Sequence, residues 1–138
     1  MNWKLIFQLS LLGLAMAVAT ISLIPSNMEF IFWLLIFIIC AYVFAKRLPG
    51  KHFIHGFMLG LVNCIWVTAA HMLFANTYMA HHHQEVAMMK STPFSNHPRV
   101  LMLISGPIAG IMSGLVIGLL SFIASKIVKN STAVPQKG

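Results

Sequence analysis

The sequence predicts an all-α integral membrane protein, a bundle of four transmembrane helices with its N and C termini in the cytoplasm. Three observations lead there. Hydrophobic residues make up 59% of the 138-residue chain and charged residues only 8%, where a soluble domain carries about a quarter charged. Four apolar stretches are long enough, or nearly so, to cross roughly 30 Å of hydrocarbon at about 1.5 Å per residue. Basic residues gather at the ends of those stretches, on one side of an even number of crossings.

The first span covers about residues 4–24, interrupted only by Gln8, Ser10, Thr20 and Ser22, and stops at the turn Pro25-Ser26-Asn27. Its triplet Ala17-Val18-Ala19 has the look of a secretory cleavage site, but the apolar run continues past it to Ile24, so an uncleaved span is the expectation. The second span, 29–46, is short, with Glu29 at one interface and Lys46-Arg47 at the other; between them only the Tyr42 hydroxyl is polar. The third, 54–79, exceeds one crossing and must tilt or run on beyond the bilayer. The fourth, 100–127, is rich in Gly and Ser and holds Pro107 about two turns from its start. Residues 1–128 thus read as one membrane domain. Residues 129–138, with Asn130, Ser131, Thr132 and Pro135, read as a disordered cytoplasmic tail.

The charges carry topology rather than chemistry. Nine Lys and Arg stand against two acids, Glu29 and Glu85, for a net charge of +7. Such scarcity of carboxylates excludes paired-carboxylate hydrolases, acidic metal cages and Walker-type sites. The basic residues form no stripe along a soluble face, which argues against nucleic acid as a partner and for snorkelling charges at a lipid bilayer. Lys4, Lys46, Arg47, Lys51, Lys126, Lys129 and Lys137 fall on one side, and only Lys90 and Arg99 on the other. The positive-inside rule then puts both termini in the cytoplasm. Trp3, Tyr42 and Tyr78 lie where aromatic belts would meet the interfaces. Cys40 and Cys64 sit in apolar segments without a C-x-x-C, so neither a disulfide framework nor a thiol redox centre is indicated.

The most specific pattern is a glycine ladder in the fourth span: Gly106, Gly110, Gly114 and Gly118 recur every fourth residue and share one helical face. The third span offers a shorter match, Gly56 and Gly60, whose small face continues through Asn63, Val67 and Ala70-His71. In lipid, helices associate by close backbone approach and dispersion, which small residues permit. The third and fourth spans are therefore expected to pack on each other; a homodimer through one glycine face is the alternative.

Polar side chains within a span are costly and mark candidate sites. The third span holds His55, Asn63, Cys64, Thr68, His71 and Asn76. Asn63 falls near mid-bilayer, where its amide either bridges to Ser113 or Gln8 or lines a hydrated path. His71, two turns on, is expected to be a hydrogen-bonded histidine near the outer interface. His55 and His71 are 16 residues apart, about 24 Å along one helix, and cannot share a haem iron.

The outer connection begins His81-His82-His83-Gln84-Glu85 and continues to Met88-Met89 and His97. A helix running on past Met79 would put His81 and Glu85 on one face at i, i+4, a known metal-ligand spacing. Imidazole suits Zn, Ni and Cu(II), and the neighbouring thioethers suit Cu(I). Contiguous histidines are also ordinary polar loop composition. The expectation is no resident cofactor, with Zn, Cu or Ni at His81, His82, His83 and Glu85 as the alternative. The same histidines would change charge between about pH 5 and 7.

No acid lies in the first span, as a small multidrug exporter would need, and G-x-S-x-G and H-E-x-x-H are both missing. No catalytic residue is assigned and an enzyme is not expected. The short first hairpin, the third span with Gly56, Gly60 and Asn63, and the fourth-span segment Gly106-Pro107-Ile108-Ala109-Gly110 together resemble small, uncharacterised four-span bacterial membrane proteins of the domain-of-unknown-function type. That resemblance covers nearly the whole chain and implies a multi-pass address in the bacterial cytoplasmic (inner) membrane; it carries no activity with it. The leading functional expectation is a non-enzymatic scaffold or accessory subunit acting through helix contacts, with itself or with other membrane subunits. The alternative is a small transporter or metal- and cation-handling protein.

Overall fold

A computed structural model describes residues 1–128, and among these the regular structure is entirely helical, with no strand. Helix α1 (Trp3–Ser22) starts where the Asn2 side chain accepts the Leu5 N–H at 3.1 Å, satisfying one donor of the first turn. Pro25, extended at ψ 152°, separates it from α2 (Ser26–Arg47). That helix ends at Leu48, which precedes Pro49 and is pushed into the extended region by it. Lys51, left-handed at φ 56°, then turns the chain into α3 (His52–Leu73).

The third span is shorter than its sequence reading. The helix leaves α geometry at Phe74 rather than continuing to Met79, and the remainder forms a separate short helix, α4 (Ala75–His81). The bend has a packing reason: it lets Ala75 and Tyr78 bury against Met102 in a small cluster of their own. A second break at His82 leads to α5 (His83–Lys90), and Pro98 opens α6 (Pro98–Ile127). Four helices, α1, α2, α3 and α6, are long and apolar enough to cross a membrane. The tail 129–138 lies outside the described residues.

Antiparallel neighbours place the N-terminus, the α2–α3 turn and the end of α6 at one end of the bundle, here the terminal end. The α1–α2 turn with α4 and α5 forms the other, the loop end. The main core lies toward the terminal end, where Ile6, Phe44, Leu59 and Ile117, one from each spanning helix, are fully buried. Large apolar side chains such as Phe30, Ile65, Ile108 and Ile127 point outward at 60–76% exposure, an arrangement suited to lipid rather than water.

The closest helix pair is α3 with α6. A Cβ added to Gly60 would lie 2.3 Å from the Gly114 Cα, and one on Gly56 2.8 Å from the Gly118 Cα, so at these rungs backbone meets backbone. Toward the loop end the same α6 spacing meets side chains instead: Cys64 Cβ lies over Gly110 and Thr68 Oγ1 over Gly106. The facing stripe on α3 is thus Gly56, Gly60, Cys64 and Thr68. Asn63 and Ala70, read from sequence as continuing the small face, turn to α1 instead. There Asn63 covers Gly13, and Ala70 packs with Ala17 and Ile21.

Candidate functional site

Two polar regions stand out, both in the loop half. The first is a cluster of side chains from five helices at the loop end. The His71, Tyr78 and His82 rings form a continuous stack, with centroids 4.2 Å and 4.1 Å apart. His71 Nε2 lies 3.1 Å from Thr20 Oγ1, and that hydroxyl donates to the Ala17 carbonyl at 3.0 Å. With its proton so used, Thr20 accepts from the His71 Nε2–H.

His82 is fully buried, and its two ring nitrogens have different partners. Nε2 faces the Thr20 carbonyl; a carbonyl only accepts, so Nε2 carries a hydrogen. Nδ1 lies 2.9 Å from Ser26 Oγ, which is itself 3.0 Å from Glu85 Oε2. One serine proton cannot serve both neighbours. If Ser26 donates to an ionised Glu85, Nδ1 must carry a proton and donate to Ser26, giving an imidazolium 3.7 Å from the carboxylate. If Glu85 is protonated, it donates to Ser26, which donates to a neutral Nδ1. The two arrangements have the same net charge and differ only in where one proton resides. Ser26 thus connects a base and an acid through a hydroxyl that can relay a proton.

Tyr78 caps this cluster from α4. Burial pushes its hydroxyl above the ordinary phenol range, and the carboxylates of Glu29 and Glu85 act in the same direction. Both acids of the whole chain therefore converge here, since Glu29 also interacts electrostatically with His82 and Glu85.

The second region is a cavity of about 250 Å³ between α2, α3 and α6. Glu29, Trp33 and Phe37 line it from α2, Asn63 and Thr68 from α3, and Ser113 and Ala109 from α6. The Trp33 indole N–H donates to Glu29 Oε1 at 3.3 Å, anchoring the carboxylate at i, i+4 on one helix. Asn63 is 4% exposed, and neither its amide oxygen nor its amide nitrogen has a hydrogen-bond partner among the described residues. An orphaned buried amide costs about 1–3 kcal/mol and calls for an explanation. The partners read from sequence do not reach it: Gln8 is exposed on α1, and the Ser113 hydroxyl donates to the Gly110 carbonyl.

The other site residues read from sequence fall as follows. Gly56, Gly60, Gly106, Gly110, Gly114 and Gly118 all lie in the α3–α6 contact within one chain. The break at His82 removes the continuous helix on which His81 and Glu85 were to share a face. His81 and His83 are exposed, while His82 points inward and Glu85 is half-buried beside it. Among the described residues, no three His, Cys, Asp or Glu side chains group as metal ligands would. Tyr78, expected in an aromatic belt, is instead buried between two histidines. His55 has a settled role at the terminal end: its Nε2 accepts the Asn2 backbone N–H at 3.0 Å, so Nδ1–H donates to the Lys51 carbonyl at 2.8 Å.

Sequence reasoning missed Thr20, Ser26, Glu29 and Trp33 as site residues. A signal was present for one of them, because Glu29 is half of the chain's acid content. Compared with protein-family models, with curated proteins and with solved structures, the chain matches none.

Proposed function

We propose that this is a non-enzymatic multi-pass protein of a bacterial cytoplasmic membrane that binds a cationic species and couples its movement to proton exchange. In this reading both termini are cytoplasmic and the loop end faces outward, as the distribution of basic residues supports. One observation carries the proposal. The chain's only two carboxylates gather with His71, Tyr78 and His82 at one end of the bundle, and one of them, Glu29, also lines the cavity between α2, α3 and α6. Ionisable groups in a membrane protein face the bundle interior where they handle ions or protons. The Glu85–Ser26–His82 relay gives a proton two resting places at that end.

The test is reconstitution into vesicles containing a pH-sensitive dye, with organic, alkali or divalent cations added outside. Cation-dependent proton movement above that of empty vesicles is expected, and Ser26→Ala should slow it. Rates equal to empty vesicles with every cation would turn the reading to a scaffold or accessory subunit. The observation favouring that second reading is the outward apolar face of α6, where Ile104, Ile108, Ile111 and Met112 are exposed. The glycine ladder is not available to it, because the ladder is covered by α3.

A further inference from the structure

The cavity between α2, α3 and α6 has a chemistry narrower than "cation". Its lining includes one carboxylate, Glu29, and no Lys or Arg, which excludes anions as favoured guests. Apart from Asn63, Thr68 and Ser113, its walls are otherwise apolar or aromatic. The Trp33 and Phe37 rings, with centroids 5.8 Å apart, stand next along α2 from Glu29. Glycine backbone and Ala109 supply the α6 side. A hard divalent ion demands about six or more oxygen ligands in a regular shell. Here the oxygens are one carboxylate and the hydroxyls of Thr68 and Ser113, and the last already donates to the Gly110 carbonyl.

An organic ammonium asks for something different: one counter-charge, ring faces within about 6 Å, and an apolar cup for its carbon substituents. The volume of about 250 Å³ lies just under the roughly 300 Å³ at which sites for drug-sized molecules begin, so the guest must be small. The Asn63 amide, packed against Gly13 of α1 and shielded on both polar atoms, presents no hydrogen-bonding atom to this space, so the carboxylate and the two rings are what a guest meets.

We propose that this cavity binds a small organic ammonium of about choline size, with Glu29 as counter-ion and Trp33 and Phe37 as cation–π faces. The proposal rests on the cation-handling reading and names its substrate class.

The experiment is calorimetric titration of the full chain in mild detergent with choline, tetramethylammonium and the neutral choline isostere 3,3-dimethylbutan-1-ol. Both cations should bind saturably and the alcohol far more weakly. Glu29→Gln should weaken cation binding by about tenfold or more, the loss of one charged partner. Trp33→Leu should weaken it several-fold. Ala109→Phe, at an exposed position on the cavity wall, should block binding without disturbing the core. Equal binding of the alcohol and choline, or undiminished choline binding by Glu29→Gln and Ala109→Phe, would overturn the site. The vesicle assay separates the two levels. Proton movement driven by sodium or zinc but not by choline overturns the ammonium assignment and leaves cation handling standing. Choline binding without proton movement under any cation keeps the site and removes the coupled transport.

Discussion

The two halves of the α3–α6 seam use the same glycine spacing on α6 and reach opposite results. At the terminal end Gly114 and Gly118 meet Gly60 and Gly56, and the backbones touch. At the loop end Gly110 and Gly106 meet Cys64 and Thr68, and side chains fill the gap. Pro107 adds to the difference, since its missing N–H removes one helical hydrogen bond in the loop half of α6. The cavity lies in that loop half, bordered by Gly106 and Gly110 on one side and by Cys64 and Thr68 on the other. A glycine ladder therefore makes close approach available, and the facing residue decides whether it is used. One half of the seam closes backbone on backbone, and the other borders the cavity.

The polar groups divide the same way. Toward the terminal end His55 has both ring nitrogens engaged, and the Trp66 indole N–H crosses from α3 to donate to Ser10 on α1 at 3.2 Å. In the loop half, one amide is wholly unpartnered, and Ser26 holds too few protons to serve both of its neighbours at once. Satisfied networks rigidify a structure, while an incompletely satisfied buried group is costly and calls for an explanation.

Substitutions can break this comparison, and the largest effect is expected at the closed rungs. Gly114→Leu should abolish the native bundle, because its Cβ alone would lie 2.8 Å from the Phe57 carbonyl oxygen. Gly60→Ala should cost about 3 kcal/mol or more, since backbone cannot rotate away from the added methyl. Thermal unfolding in detergent reads both. At the open end, Gly106→Ala meets first the Thr68 hydroxyl, which can turn aside, and should cost about 1 kcal/mol. Equal losses at Gly60 and Gly106 would show that the seam is uniform and that the two halves do not differ as described.

A middle-sized effect is expected at the relay. Ser26→Ala leaves His82 Nδ1 and Glu85 facing each other without their bridge and should destabilise by about 1–2 kcal/mol. The distinguishing signature is rescue: Ser26→Thr, which keeps the hydroxyl, should restore the lost stability, and Ser26→Val should not. Equal stability of the Thr and Val variants would argue that Ser26 only packs.

The smallest effect has the opposite sign. Asn63→Leu keeps the approximate shape and removes an unpaired amide, so it should leave the melting temperature unchanged or raise it, by about 1 kcal/mol at most. Clear destabilisation by this substitution would mean that the amide has found a partner in the membrane and is structural glue.

Much of the architecture was legible in the chain. Lipid leaves the backbone no partner but itself, so apolar length alone dictates helices, and all four spans are readable, with ends shifted by a few residues. Close packing of the third span on the fourth was the expectation from glycine periodicity, with a homodimer as the alternative, since both helices carry small residues at a spacing of four. The third span was read too long because hydropathy is blind to the bend at Phe74. Tyr78 and Ala75 are apolar enough to continue a helix, and they leave it because Met102 on α6 offers them a place to bury.

What the sequence by itself determined is therefore the number of helices long and apolar enough to cross a membrane, their apolar surfaces and the residues that permit close packing. These depend on composition and period, which are local properties. Only the tertiary structure decided which polar groups meet. His82 was one of three identical neighbours in the sequence, and a single helix break turns it inward while leaving His81 and His83 exposed. Glu29 and Glu85, 56 positions apart in the chain, come together because the α1–α2 turn and the α4–α5 segment share one end of the bundle. Electrostatics in a low-dielectric interior acts over distance in space rather than along the chain, so the chemistry of this site exists only once the helices have packed.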